Sequence, residues 1–161
     1  MKSAYLALAI LLVSGSAAWA QEKPQERPTL GPAPAPSLSG PHSSTTNDPR
    51  KLLRIRTLFV ERIDNSLSEK LVEGLAKMAR FRIVGTRNQA DAVLRGTCFD
   101  SHRLKIVHSE VFLSDRTGGS SIWQDNVRRP FNPPPLEKAV NDTASDILAH
   151  LGESIREAES K

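Results

Sequence analysis

Asp100-Ser101-His102 sets an acid, a hydroxyl and an imidazole in a row, the three side chains of nucleophilic hydrolysis. In a strand, however, neighbouring side chains point to opposite faces, and a working triad is assembled by geometry rather than adjacency. The Gly-x-Ser-x-Gly elbow that presents a nucleophilic serine is missing from the sequence. The row is read as coincidence and no catalytic residue is assigned. Cys98, His102 and His108 suggest zinc, but their spacing matches no common site and a fourth ligand is lacking, so no metal is assigned. Thr117-Gly118-Gly119-Ser120 lacks the Lys-Ser/Thr ending and the following helix of a phosphate loop. It predicts a tight turn between strands instead. No cofactor is implied.

Charge is the more informative signal. Residues 50–129 hold 16 basic and 9 acidic side chains, whereas residues 130–161 hold 3 and 6, within a chain of net charge +4. Arg54 and Arg56 are expected to share a strand face, with Arg82 and Arg95 on neighbouring strands. If helices cover one side of a sheet, these four arginines form a candidate ligand-binding platform on the other, suited to phosphates, acidic glycans or anionic lipid headgroups. The competing reading is a solvated face whose arginines discourage edge aggregation. Nucleic acid is not expected as a partner: aromatics are only 5% of the chain, too few for base stacking.

The elements that must position these residues follow from periodicity. Residues 54–60 (RIRTLFV) predict a strand. Ser66-Leu67-Ser68-Glu69 matches a capping box, followed by Leu67, Leu71, Leu75 and Met78 at helical spacing, which predicts a helix over 67–80. Further strands are expected over 81–84, 92–99, 105–114 and 121–128, the last with Trp123 and Val127 on one face. Pro135 is placed to open a final helix over 136–158, where Val140, Ala144, Ile147, Leu148, Leu151 and Ile155 recur on one stripe. The expected fold is α+β: a two-layer sandwich of one mixed sheet, four or five strands, with two helices on one face.

Ahead of this domain, expected at 51–161, lie two segments of other composition. Lys2, the apolar run Ala4–Val13 and the small residues Ala18 and Ala20 have the anatomy of a secretory signal peptide over 1–20, cut between Ala20 and Gln21. Residues 21–50 contain seven prolines and almost no large apolar side chains, the composition of a disordered tether. The location implied is periplasmic or secreted. Cys98 is the single cysteine, so no internal disulfide can form and the domain must rely on its core.

One motif order goes beyond composition. Phe81-Arg82-Ile83-Val84 leads to Ala90-Asp91-Ala92-Val93-Leu94-Arg95-Gly96. Leu113-Ser114-Asp115-Arg116-Thr117-Gly118-Gly119 and Ile122-Trp123 follow, and then the amphipathic helix. This order resembles small bacterial cell-envelope domains: the lipopolysaccharide-assembly lipoprotein family and the N-terminal domain of the Tol-system periplasmic protein. The resemblance implies a periplasmic α/β sandwich that binds rather than catalyses. The lipopolysaccharide-assembly members carry a lipidated cysteine at their mature start, where this chain has Gln21.

The expected function is that of an exported, non-enzymatic envelope accessory or assembly factor that binds an envelope protein partner. The sequence specifies no oligomeric state. The alternatives are a binder of anionic envelope polymer or lipid through the arginine face, and a small secreted hydrolase. Mass spectrometry of the exported protein is expected to find Gln21 at the N-terminus. An intact Met1 overturns the signal-peptide reading.

Overall fold

Strand alternation decides which side chains are buried. The computed structural model describes residues 43–117 and 119–160. The expected signal peptide, and the tether as far as residue 42, lie outside the described residues. In chain order the elements are β1 (Thr45–Thr46), α1 (Pro49–Arg54), β2 (Thr57–Val60), α2 (Leu67–Lys77), β3 (Arg82–Ile83), a 3-10 turn (Arg87–Gln89), β4 (Ala92–Ser101), β5 (Ile106–Asp115), β6 (Ser121–Pro130) and α3 (Leu136–Glu159).

The strands form one mixed sheet in the order β1-β6-β5-β4-β2-β3. β3, β2 and β4 run parallel, and β4, β5, β6 and β1 are antiparallel. The α+β class and the mixed sheet agree with expectation. Among the described residues the sheet has six strands rather than four or five, and the α-helices number three rather than two. Both additions come from residues 45–54. Asp48 accepts a hydrogen bond from the Lys51 N–H at 2.9 Å and Pro49 opens the first turn of α1, the pairing of cap and proline that starts a helix. The end of α1 and the link after it therefore replace the first part of the strand expected over 54–60, and the folded unit begins before residue 51. Thr45 and Thr46 add to the edge of β6 opposite Gln124 and Trp123.

Along β4, Ala92, Leu94 and Cys98 face the core. Val107, Val111 and Leu113 do so along β5, and Trp123 and Val127 along β6. Leu52 of α1, Leu67, Leu71 and Leu75 of α2, and Val140, Ala144, Ile147, Leu151 and Ile155 of α3 close the same cluster. The Trp123 indole donates to the Ser154 hydroxyl at 3.0 Å, so the largest buried side chain brings its polar atom to a partner. α2 and α3 meet where Gly74 leaves room for Leu148: a Cβ on residue 74 stands 2.1 Å from Leu148 Cδ1.

Two local expectations change. Ser66 adopts φ 58° and makes no side-chain cap bond, because a capping hydroxyl needs an extended backbone to reach the first-turn N–H groups. Gly96, a glycine inside a strand, signals a bulge or the close packing of a helix; the close approach is instead that of the neighbouring strand, since a Cβ there falls against the Glu110 carbonyl oxygen.

Asp91 turns the chain into β4, the role its place just before the strand allows. Its Oδ2 accepts the Arg56 N–H at 3.0 Å and the Thr57 N–H at 2.8 Å, while the Asp91 N–H bonds Thr57 Oγ1 at 2.9 Å. The Arg56 and Thr57 amides hold the carboxyl below its ordinary value. A carboxylate with a depressed folded pKa contributes stability that is fully present above the unfolded value of about 3.9 and lost as pH falls through the folded value. Asp91→Ala is expected to lower stability by about 1–2 kcal/mol at neutral pH, the low end for bonds to a solvated charge. In denaturant titrations the gap from the parent should close below about pH 4. A gap that is unchanged at low pH contradicts the ionised-clamp account.

Candidate functional site

Among the described residues, helices cover the sheet on one side only. The other side carries Phe59 and Val93, then Arg95, Thr97 and Phe99 of β4. Ile106, His108, Glu110 and Phe112 of β5 lie beside them, with Gln124, Asn126 and Arg128 of β6 beyond. These positions follow from the same two-residue period that buries the core.

Of the four arginines expected on one platform, two share this face. Arg95 is exposed on β4, and Arg82 is exposed on the edge strand β3 opposite Thr57. Two strand spacings and four residues separate them, about 16 Å along the sheet. Arg54 and Arg56 share no strand face, since Arg54 ends α1 and Arg56 lies in the link before β2. The helix begun by Asp48 and Pro49 removed the alternation on which that expectation rested.

The helix-free face contains a groove of about 330 Å³ lined by Glu61, Arg95, Gly96, Thr97 and Phe112. A smaller recess of about 140 Å³ lies on the other side of Phe112, against Glu110, Gln124 and Asn126. Phe112 is half-buried between the two. The walls mix signs: Glu61 pairs with Arg87 at 3.6 Å, and Glu110 accepts from Asn126 Nδ2 at 3.1 Å. The face offers an aromatic ridge flanked by hydrogen-bonding groups rather than a uniformly basic surface.

The residues singled out for chemistry serve the hairpin. Ser101 Oγ accepts the Leu104 N–H at 3.3 Å, and Asp100 holds His102 at 3.0 Å. Cys98 faces the core while His108 faces the open side, where it meets Asn126 Oδ1 at 3.1 Å. Strand alternation thus keeps Cys98 and His108 apart. Asp115 accepts from Thr117 N and Oγ1 and from Gly119 N, and these bonds, Thr117 first, hold its carboxyl below the ordinary value. This is the turn chemistry expected of that loop.

Sequence reasoning missed Asp125. It occupies an inward position on β6 between Trp123 and Val127 and is only 3% exposed. Its Oδ1 accepts from Ser43 Oγ at 2.5 Å and from the Asn126 N–H at 2.8 Å, and its Oδ2 meets His150 Nδ1 of α3 at 2.8 Å. An acid at an inward slot of a strand was the available signal, because such a group must find partners or remain a large cost. Its partners lie 82 and 25 residues away, beyond local pattern. The chain's entry into the fold, the sheet and α3 are joined at this carboxylate.

No protein-family model matches the chain, and no curated protein matches it. Among solved structures it is similar to PelC from Paraburkholderia phytofirmans, a dodecamer, with 16% identity, 69% of this chain and 98% of that chain covered, and a TM-score of 0.49. Uncharacterized lipoprotein B from Nitrosomonas europaea is 12% identical over 58% of this chain and 80% of that one, with a TM-score of 0.41. Lipoprotein GNA1162 from Neisseria meningitidis is 12% identical over 61% of this chain and 99% of that one, with a TM-score of 0.40. Likenesses of this size assign neither a family nor a role.

Asp125→Ala leaves the Ser43 hydroxyl, the Asn126 amide and the His150 ring without this acceptor. A loss of about 2–3 kcal/mol is expected in chemical denaturation, the cost of stranding buried polar groups. Cleavage by a nonspecific protease near residues 43–48 should accelerate in parallel. A change within about 0.5 kcal/mol would mean the carboxylate is replaceable by water.

Proposed function

We propose that this protein is an exported, non-enzymatic accessory or assembly factor of a bacterial-type cell envelope, and that it acts by holding a protein partner on the helix-free face of its sheet. The observation that carries this reading is the Phe112 ridge. An aromatic side chain stands between two recesses, with Arg95, Glu61, Gln124 and Asn126 around it. Protein interfaces take this form, with a desolvated aromatic anchor inside a polar rim. The polar rim, of mixed sign, fixes orientation and excludes like-charged competitors. Export is supported by the anatomy of residues 1–20, and envelope membership by the resemblance of the motif order to the lipopolysaccharide-assembly and Tol-system domains.

Binding of an anionic envelope polymer or lipid through the arginines is a second reading, reduced to Arg82 and Arg95 on the sheet. At about 16 Å apart, they suit a long polymer better than a single headgroup.

A photo-crosslinking side chain at Thr97, exposed in the groove, is expected to yield one discrete protein adduct in the native cell. Its yield should fall at least about tenfold, equivalent to 1.4 kcal/mol, when Phe112→Ser is added, with little change in melting. It should be unaffected by Arg54→Ser with Arg56→Ser and should survive high salt during lysis. No adduct, or an adduct indifferent to Phe112, overturns the docking face. Salt-sensitive retention on peptidoglycan or lipopolysaccharide, lost with Arg82→Ser and Arg95→Ser, favours the second reading.

A further inference from the structure

Among the described residues two large apolar side chains stand exposed, and both belong to one hairpin end. Phe99, near the end of β4, is 59% exposed, and Leu104, in the turn to β5, is 67% exposed. Scattered exposed leucines and phenylalanines need no explanation, but a pair on one protruding turn does. Ile106, on the open face opposite Ser101, continues the apolar surface from Leu104 toward Phe99. Around these three stand cations. Arg103 and Lys105 flank Leu104 in the turn, and Arg128 lies across the strands from Phe99 in the row Phe99–His108–Arg128. All three cations are exposed. Two carboxylates near this end are already engaged: Asp100 by His102 at 3.0 Å, and Asp146 by Arg129, which reaches it with two bonds of 2.5 and 2.6 Å. The end of the hairpin is therefore apolar at its point and positive around it.

We propose that this hairpin tip docks the domain onto an anionic phospholipid surface. Phe99 and Leu104 enter the boundary between headgroups and acyl chains, and Arg103, Lys105 and Arg128 take the headgroup phosphates. The shape selects this occupant. A convex apolar point has no recess for a protein's anchoring side chain, whereas a bilayer interface receives a protruding turn without a preformed pocket. The charge agrees, since basic residues beside an inserted apolar group add attraction to anionic lipid. Two backbone groups of the turn are already bonded, which lowers the cost of insertion. Ser101 Oγ takes the Leu104 N–H, and the Lys105 carbonyl accepts the Phe131 N–H at 2.8 Å. His102 packs edge-on against Phe131, with ring centroids 5.5 Å apart, which braces the turn from behind. Docked this way, the sheet stands off the membrane with the Phe112 ridge free, so this inference is independent of the partner-binding reading.

The test places its readout at the tip, so that membrane affinity elsewhere in the chain does not enter it. In the full chain carrying Leu104→Trp and Trp19→Phe, so that the N-terminal indole adds no signal, indole emission is followed on adding vesicles of phosphatidylglycerol mixed with phosphatidylcholine, and vesicles of phosphatidylcholine alone. Trp123 is fully buried and contributes a constant background. A blue shift and quenching by brominated acyl chains are expected with the anionic vesicles and not with the neutral ones. Adding Arg103→Ser and Lys105→Ser should raise the lipid concentration needed by at least about tenfold, and so should Phe99→Ser. These residues are exposed, so melting should not change. No shift with anionic vesicles overturns the proposal, as does a shift indifferent to the two charges. A shift that depends on protein concentration without vesicles also overturns it, and makes the tip a contact between copies of this chain.

Discussion

The pairing of β4 with β5 is the constraint on which the rest of this molecule depends. Ten residues of each strand pair without a slip, from Ala92 opposite Asp115 to Ser101 opposite Ile106. Because side chains alternate along a strand, one register decides the allegiance of twenty residues at once. Leu94, Cys98, Val107 and Val111 go under the helices, while Arg95, Thr97, Phe99, Glu110 and Phe112 go to the open side. The two backbones approach so closely at Gly96 that a methyl group would meet the Glu110 carbonyl. The groove beside Arg95 and Phe112 opens at the same glycine, so the close strand contact and the candidate docking surface share a cause.

A second constraint acts along the chain. The segment entering the fold contributes little apolar surface of its own before Leu52, and a two-residue strand is a weak attachment. Its hold on the body is polar. The Asn47 and Asp48 N–H groups bond the Ile122 carbonyl at 2.9 and 3.2 Å, and Ser43 reaches the buried Asp125. A buried carboxylate is costly unless its oxygens are satisfied, and here three donors from the entering segment, the strand and α3 do so. Such an arrangement favours one docking position over many near-equivalent ones, which apolar contact alone distinguishes poorly.

Much of this fold was legible in the sequence where the pattern was long. α3 and the three ten-residue strands β4, β5 and β6 repeat a clear period over enough residues to outweigh local exceptions, and Trp123 and Val127 fell on the inward side as alternation required. Short elements were not legible in the same way. Asp48-Pro49 is a start signal for α1, but it sits at the end of a proline-rich stretch whose composition argued for a tether, and the Leu53-to-Phe59 alternation ran across the helix end. At the candidate site, Thr97 and Phe112 fell within expected strands, yet nothing local to them indicates a groove, which arises from Gly96 and from Glu61, just after β2. Asp91 declared its role through its position before a strand. Asp125 did so only through parity, and its partners come from residues 43 and 150.

The arginines show how charge follows topology. An open sheet has two edges, each able to template pairing with another chain. Both edges here are strands of two residues, β1 and β3, and the long strands β4, β5 and β6 are interior. Arg82 stands on β3 itself, a cation on a short edge, which is a common defence against edge-to-edge association. Arg80, just before it, is turned inward to bond the Leu53 carbonyl at 2.8 Å and Glu159 at 2.8 Å, tying the loop after α2 to α1 and to the end of α3. Arg129 is likewise committed to Asp146. The positive excess of residues 50–129 is thus divided among edge protection, ties within the fold and a larger set of uncommitted side chains. Of these, Arg95 borders the Phe112 groove, and Arg103, Lys105 and Arg128 surround the hairpin tip. A charge count alone cannot separate these uses, because it weighs an arginine tied to a carboxylate the same as one facing solvent. The register and the ion-pair partners make the distinction, and they leave positive charge available at the one end of the sheet where apolar side chains are also exposed.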